Sequence, residues 1–124
     1  MGNSYERVHV PSVEPTPSAV SGTPQVNLAE ILGCEKMRPR VWYLSPGDAM
    51  SHHRQTEQEE VYYMLDGPGR IRIGDEFIDV ESGTALRIPP DTPRQVLHDG
   101  DDGQHVWLIT GAPAVSDDGR SATD

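Results

Sequence analysis

The stretch SHHRQTEQEEVYYMLDGPG, residues 51–69, holds the densest set of groups in the chain that could do chemistry. His52 and His53 are adjacent, Glu57, Glu59 and Glu60 follow closely, and a strand-like run then closes on Gly-Pro-Gly. Neutral imidazoles and an ionised carboxylate can hold a divalent metal, with positions left open for water or substrate. His53 and Gln55 lie two residues apart, so on a strand both side chains point to one face while His52 points to the other. The plainer alternative is a solvated acidic turn, because RQTEQEE is rich in glutamine and glutamate. Spacing, rather than composition, decides between the two.

The elements that must position these residues are short. From residue 38 onward the chain alternates brief strand-like runs with turn signals: RPRVWYL (38–44), EEVYYML (59–65), RIRI (70–73), FIDV (77–80), ALRI (85–88), RQVLH (94–98) and HVWLIT (105–110), separated by SPGD, DGPG, GDE, ESG, PPDTP and DGDDG. Regular punctuation of this kind predicts an all-β sandwich or barrel. Upstream, NLAEILG predicts one or two helical turns, with Asn27 as N-cap, Glu30 as in a capping box and Gly33 at the C-terminal stop. ERVHV (6–10) is expected as a short edge strand, and the proline-rich PSVEPTPSAVSGTPQV (11–26) as an extended loop. After Pro113, AVSDDGRSATD has nothing to bury and is expected to fray. The expected organisation is an N-terminal strand and proline-rich arm (1–26), a barrel (27–112) and a flexible acidic tail (113–124).

Charge narrows the function classes. The 124 residues include 20 acidic and 10 basic ones, a net charge of −10, and Lys36 is the only lysine. Such a balance argues against nucleic acid, whose phosphates need a basic stripe. Acidic, lysine-poor surfaces resemble those of salt-adapted, haloarchaeal proteins, in which high salt screens the repulsion between carboxylates. No apolar run reaches the roughly 18–20 residues of a membrane span, and no basic-then-apolar leader opens the chain, so a soluble, cytoplasmic protein is expected. Cys34, the single cysteine, fits a reducing compartment and reads as a small semi-buried apolar residue.

The strand-and-turn order, over roughly residues 38–112, resembles the cupin family, in particular its small single-domain members. The family's first motif sets Gly, His, His, Glu and Gly at the spacing of Gly47, His53, Gln55, Glu60 and Gly67 in this chain, with Gln55 in place of the second histidine. The second motif sets Gly, Pro, Gly, His and Asn at the spacing of Gly83, Pro89, Asp91, Arg94 and His98. Asp91 thus stands for glycine, Arg94 for the third histidine and His98 for asparagine.

The resemblance implies an all-β, cupin-type double-stranded β-helix (a jelly-roll barrel) with a short N-terminal helix. It also implies that residues 53, 55, 60 and 94 converge inside the barrel, where family members hold a metal. Arg94 has no lone pair to give and stays protonated, so it cannot ligate. Beside Glu60 it can form a charge-assisted, bidentate pair in the metal's place. On that reading the protein is a small-molecule-binding cupin with a degenerate metal centre, in which Arg94 receives an anionic or carbonyl-bearing ligand and Glu60 orients it. Tyr62, Met64 and His98 are the further ligand-binding candidates. The alternative is a metal-dependent isomerase, dioxygenase or lyase running on His53, Gln55 and Glu60. The cofactor expectation is accordingly none, or a weakly held divalent Zn, Mn, Fe or Ni. Family members commonly dimerise through N-terminal strands or sheet faces, so a homodimer is expected as well.

Overall fold

A computed structural model describes residues 4–122. Eleven strands follow in chain order: β1 (Thr16–Pro17), β2 (Pro24–Val26), β3 (Arg40–Leu44), β4 (His53–Gln55), β5 (Glu59–Asp66), β6 (Gly69–Ile73), β7 (Glu76–Val80), β8 (Ala85–Ile88), β9 (Arg94–Leu97), β10 (His105–Ala112) and β11 (Gly119–Ser121), with one helix, α1 (Leu28–Leu32), between β2 and β3. They form a six-stranded sheet in the order β1-β2-β3-β10-β5-β8 and a five-stranded sheet in the order β11-β4-β9-β6-β7. The strand pairings within both sheets are antiparallel.

Period-two alternation builds the interior. On β5, Glu60, Tyr62 and Met64 are buried while Val61, Tyr63 and Leu65 face out. Trp42 and Leu44 on β3, Ile71 on β6, Ile88 on β8, Val96 on β9, and Trp107 and Ile109 on β10 complete a core clasped between the sheets. Trp107 is fully buried and meets the Tyr62 ring edge-on, the centroids 6.2 Å apart at 82°. Burying a large aromatic or aliphatic side chain contributes about 1.5–3 kcal/mol, so this interior is what keeps the two sheets closed.

α1 starts and stops where its caps lie. The Asn27 side chain accepts from the Glu30 N–H at 3.2 Å, and Gly33 takes a left-handed φ of 71° at the C-cap. Asp91, which stands for a motif glycine, also has a positive φ, 68°. Aspartate is among the residues that tolerate this region, and its carboxylate pairs with Arg54 at 3.2 Å.

Three segments differ from the expectations. Residues 6–9 form no strand, and Val10–Ser12 make a single 3-10 turn with Pro11 near its start; a proline has no N–H to lend to a ladder. Within the proline-rich segment, β1 and β2 pair as a hairpin, and β2 extends the six-stranded sheet through Gln25–Trp42 and Val26–Val41. The segment after Pro113 carries β11, which pairs with β4 through Gly119–Gln55, Arg120–Arg54 and Ser121–His53. Among the described residues, no helix is long and apolar enough to cross a membrane.

Candidate functional site

A cavity of about 550 Å³ opens at one end of the interior between the two sheets. Its walls come from β3 (Arg40, Trp42), β4 (His53, Gln55), β5 (Glu60, Tyr62), β10 (Ile109) and the whole of β11. This is the size of an ordinary small-molecule pocket.

Glu60 is the centre of the polar wall. Its Oε1 accepts from the Tyr62 hydroxyl at 2.9 Å and lies 3.5 Å from Nη1 of Arg94. The Arg94 side chain is fully buried, and its Nη2 donates to the Pro89 carbonyl at 2.9 Å. The ion pair is therefore a single approach through one nitrogen, not a bidentate fork, since the other end of the guanidinium is tied to backbone. Burial raises the Tyr62 pKa well above the ordinary phenol value, and the Glu60 carboxylate adds to the shift. The phenol thus stays a proton donor to Glu60.

On β4, Nδ1 of His53 lies 2.9 Å from the Ser51 carbonyl oxygen. A carbonyl only accepts, so Nδ1 carries the proton and Nε2 of the neutral ring keeps its lone pair. Gln55 lines the same cavity two residues on. His52 also reaches the cavity wall, although regular alternation would turn it away. It precedes β4, so strand periodicity does not govern it.

The structure brings His53, Gln55, Glu60 and Tyr62 to one cavity, with Arg94 immediately behind Glu60. It does not bring Met64 or His98 there. Met64 is fully buried in the core, so close to β6 that a Cβ on Gly69 would stand 2.6 Å from its sulfur. His98 is buried and saturated: the Gly100 N–H donates to its Nδ1, and its Nε2 lies 3.1 Å from both the Asp102 and Gly103 carbonyls. Its ring stacks on His105 at 3.7 Å. Both residues face inward as alternation requires, but each sits four residues along its strand from Glu60 or Arg94. Four residues of strand is about 13 Å, which puts them at the other end of the barrel.

Arg94 does not line the cavity either; its side chain is fully buried behind Glu60. The cations on the wall are Arg38, Arg40 and Arg120. Sequence reasoning missed them, although Arg40 alternates with Trp42 and Leu44, both buried, which puts it on the inward face of β3. Burial, and then the neighbouring Arg38 cation, lower the Arg40 pKa.

The residues present do not fit a held divalent metal. One imidazole, one amide oxygen and one carboxylate already engaged by a phenol and a guanidinium make a poor donor set. The fixed positive charge of Arg94 beside Glu60 would oppose a dication. Among the described residues, no three His, Cys, Asp or Glu side chains converge in a way that could hold a metal ion.

Comparison with known proteins adds the family context. A family model described as "Cupin domain" matches residues 40–111. The fold is similar to that of a cupin protein from Bacteroides fragilis, 26% identical, covering 99% of this chain and 96% of that one with a TM-score of 0.71. It is also similar to a sugar phosphate isomerase of the cupin superfamily from Silicibacter pomeroyi, 17% identical over 95% of this chain and 88% of that one, TM-score 0.77, a likeness of fold. An uncharacterized protein of Methanocaldococcus jannaschii is 35% identical over 48 residues, which is 39% of this chain and only 38% of that relative.

Proposed function

This chain belongs to the cupin family, and from that premise we propose that it is a small-molecule-binding member whose barrel carries an Arg94–Glu60 ion pair where the family pattern places metal ligands. The observation that carries this reading is the 3.5 Å approach of a fully buried guanidinium to Glu60, at the back of a cavity of about 550 Å³. A buried arginine without a countercharge would cost several kcal/mol, on the order of other unpaired buried charges. Glu60 therefore serves first as that countercharge. Its Oε1 is taken up by Tyr62 and Arg94, and Oε2 is left to accept from a donor on the ligand. His53, with its proton held on Nδ1, offers Nε2 as a second acceptor across the cavity. A ligand that presents hydroxyl or N–H donors to these acceptors, together with an anionic or carbonyl group, suits the wall.

A metal-dependent isomerase, dioxygenase or lyase is the second reading. What favours it is that His53, Gln55 and Glu60 do line one cavity. The two readings part at positions 55 and 94. Under the first, Gln55→His combined with Arg94→His creates a tight, stoichiometric site for Zn²⁺ or Ni²⁺ that the natural protein lacks, measured by calorimetric titration. If the natural protein binds these ions as tightly as the double variant, the Arg94–Glu60 reading is wrong and the metal-dependent one takes its place.

A further inference from the structure

The nine arginines of this acidic chain differ in how they are partnered. Arg54, Arg70, Arg72, Arg87 and Arg94 all have carboxylate partners: Asp91, Asp79 with Asp99, Asp75, Glu59 and Glu60. Arg7 and Arg120, both exposed, have none among the described residues, and neither do the half-buried Arg38 and Arg40, in a chain with 20 acidic side chains to offer. Each makes one orienting hydrogen bond to a neutral oxygen: Arg38 Nη1 to the Val115 carbonyl at 3.0 Å, and Arg40 Nη1 to Gln25 Oε1 at 3.0 Å. The remaining donors of both guanidinium groups are uncommitted. Both residues are half-buried and both line the cavity.

No carboxylate of the cavity pairs with them directly, and Glu30 and Glu60 act on Arg40 only from beyond ion-pair distance. Glu60 is held by Tyr62 and Arg94, the buried Asp118 is held by Thr56 and by the N–H groups of Glu57 and Gln58, and Asp117, the third carboxylate on the wall, is not within ion-pair distance of either arginine. Two like charges side by side and partly desolvated are costly, and here hydrogen bonds to neutral oxygens, not ion pairs, hold them in place. Trp42, Met50 and Ile109 give the same cavity a buried apolar wall. The volume, about 550 Å³, is far more than an inorganic ion fills.

We infer that Arg38 and Arg40 form an anion subsite, taking the carboxylate or phosphate head of a small organic acid whose apolar body lies against Trp42, Met50 and Ile109. This rests on the small-molecule reading above and gives it a ligand class. Paired guanidinium forks suit either head group, because both present oxygens in the plane that the N–H groups address.

Calorimetric titration with matched probes tests the assignment: phenylacetate, phenyl phosphate, neutral phenylacetamide and cationic phenethylamine, with inorganic phosphate as competitor. The anions bind, and the neutral and cationic probes bind at least about tenfold more weakly, the scale of one charge-assisted hydrogen bond. Arg38→Gln and Arg40→Gln each weaken the anions by about that factor and leave phenylacetamide unchanged. Arg40→Lys keeps part of the affinity, and Arg87→Gln, on an exposed pair with Glu59, changes nothing. Unfolding curves of each variant separate lost binding from lost fold. The ratio of phenylacetate to phenyl phosphate affinity identifies the head group. If phenylacetamide binds as tightly as the anions, or the arginine variants weaken all probes alike, the subsite is wrong while the small-molecule reading stands. If inorganic phosphate binds as well as phenyl phosphate, the apolar wall plays no part and the ligand class is overturned. If no probe binds at millimolar concentration, both readings fail together.

Discussion

At the scale of single residues, the barrel's charge balance turns on Glu60. Replacing it by glutamine removes the countercharge of a fully buried arginine, and loss of one partner of a buried pair costs about 3–5 kcal/mol. Glu60→Gln is therefore expected to lower the unfolding free energy by that amount, whereas Glu60→Leu combined with Arg94→Met costs much less, because neither charge is then left buried alone. Urea unfolding of the two variants checks this; equal losses in the single and the double variant would contradict it. The positions of Glu60 and Arg94 were legible because motif spacing fixes both the strand and the inward face. Met64 and His98 were drawn into the site on the same grounds and lie elsewhere, because alternation tells which face a residue takes and not how deep along the barrel it sits. Arg38 and Arg40 show the converse: the pattern Arg-x-Arg-x-Trp-x-Leu already placed them on one face, but arginine beside a tryptophan attracts no motif.

At the scale of elements, β11 is the instructive case. All three of its residues are exposed, so no hydrophobic signal announces it, and composition alone reads as a loose tail. Beside its pairing with β4, one buried side chain just before it, Asp118, ties it down. Burial pushes the Asp118 pKa up, but the Thr56 hydroxyl and the backbone N–H groups of Gln58 and Glu57 outweigh this and bring it below the ordinary carboxylate range. A depressed folded-state pKa contributes stability that is present above the unfolded value, about 3.9, and is lost as pH falls through the folded value. Asp118→Asn should cost about 1–3 kcal/mol at neutral pH, the scale of hydrogen bonds to a charged group, and should flatten the loss of stability below that pH. Thermal unfolding from pH 3 to 7 checks both effects; an unchanged acid limb would show that Asp118 does not anchor β11. Because β11 walls the cavity, the variant should also loosen ligand binding. The strands of the barrel proper were legible from alternation and turn residues. The β1–β2 hairpin was not, since proline-rich strands of two and three residues carry no period to read.

At the scale of the whole molecule, a net charge of −10 on 124 residues sets the response to salt. The screening length falls from about 10 Å at 0.1 M to about 3 Å at 1 M, so carboxylate repulsion on the surface fades over that range. The melting temperature should rise steadily with KCl from 0.1 to 2 M, and a flat or falling series would contradict salt adaptation. The same series followed by light scattering checks the proposed homodimer, which a monomer at molar salt would contradict. The fold was legible at this scale because two spaced motifs and a run of short punctuated strands agree on one barrel. The ligand was not, because one barrel hosts many chemistries and its contents are set by individual side chains. The central claim, that a guanidinium–carboxylate pair occupies the place of a metal centre, is tested most directly by elemental analysis of the protein purified without added metal and then dialysed against a chelator. The account predicts substoichiometric metal that dialysis removes, with the unfolding curve unchanged. One equivalent of metal per chain that survives the chelator and is lost in Glu60→Gln would contradict it.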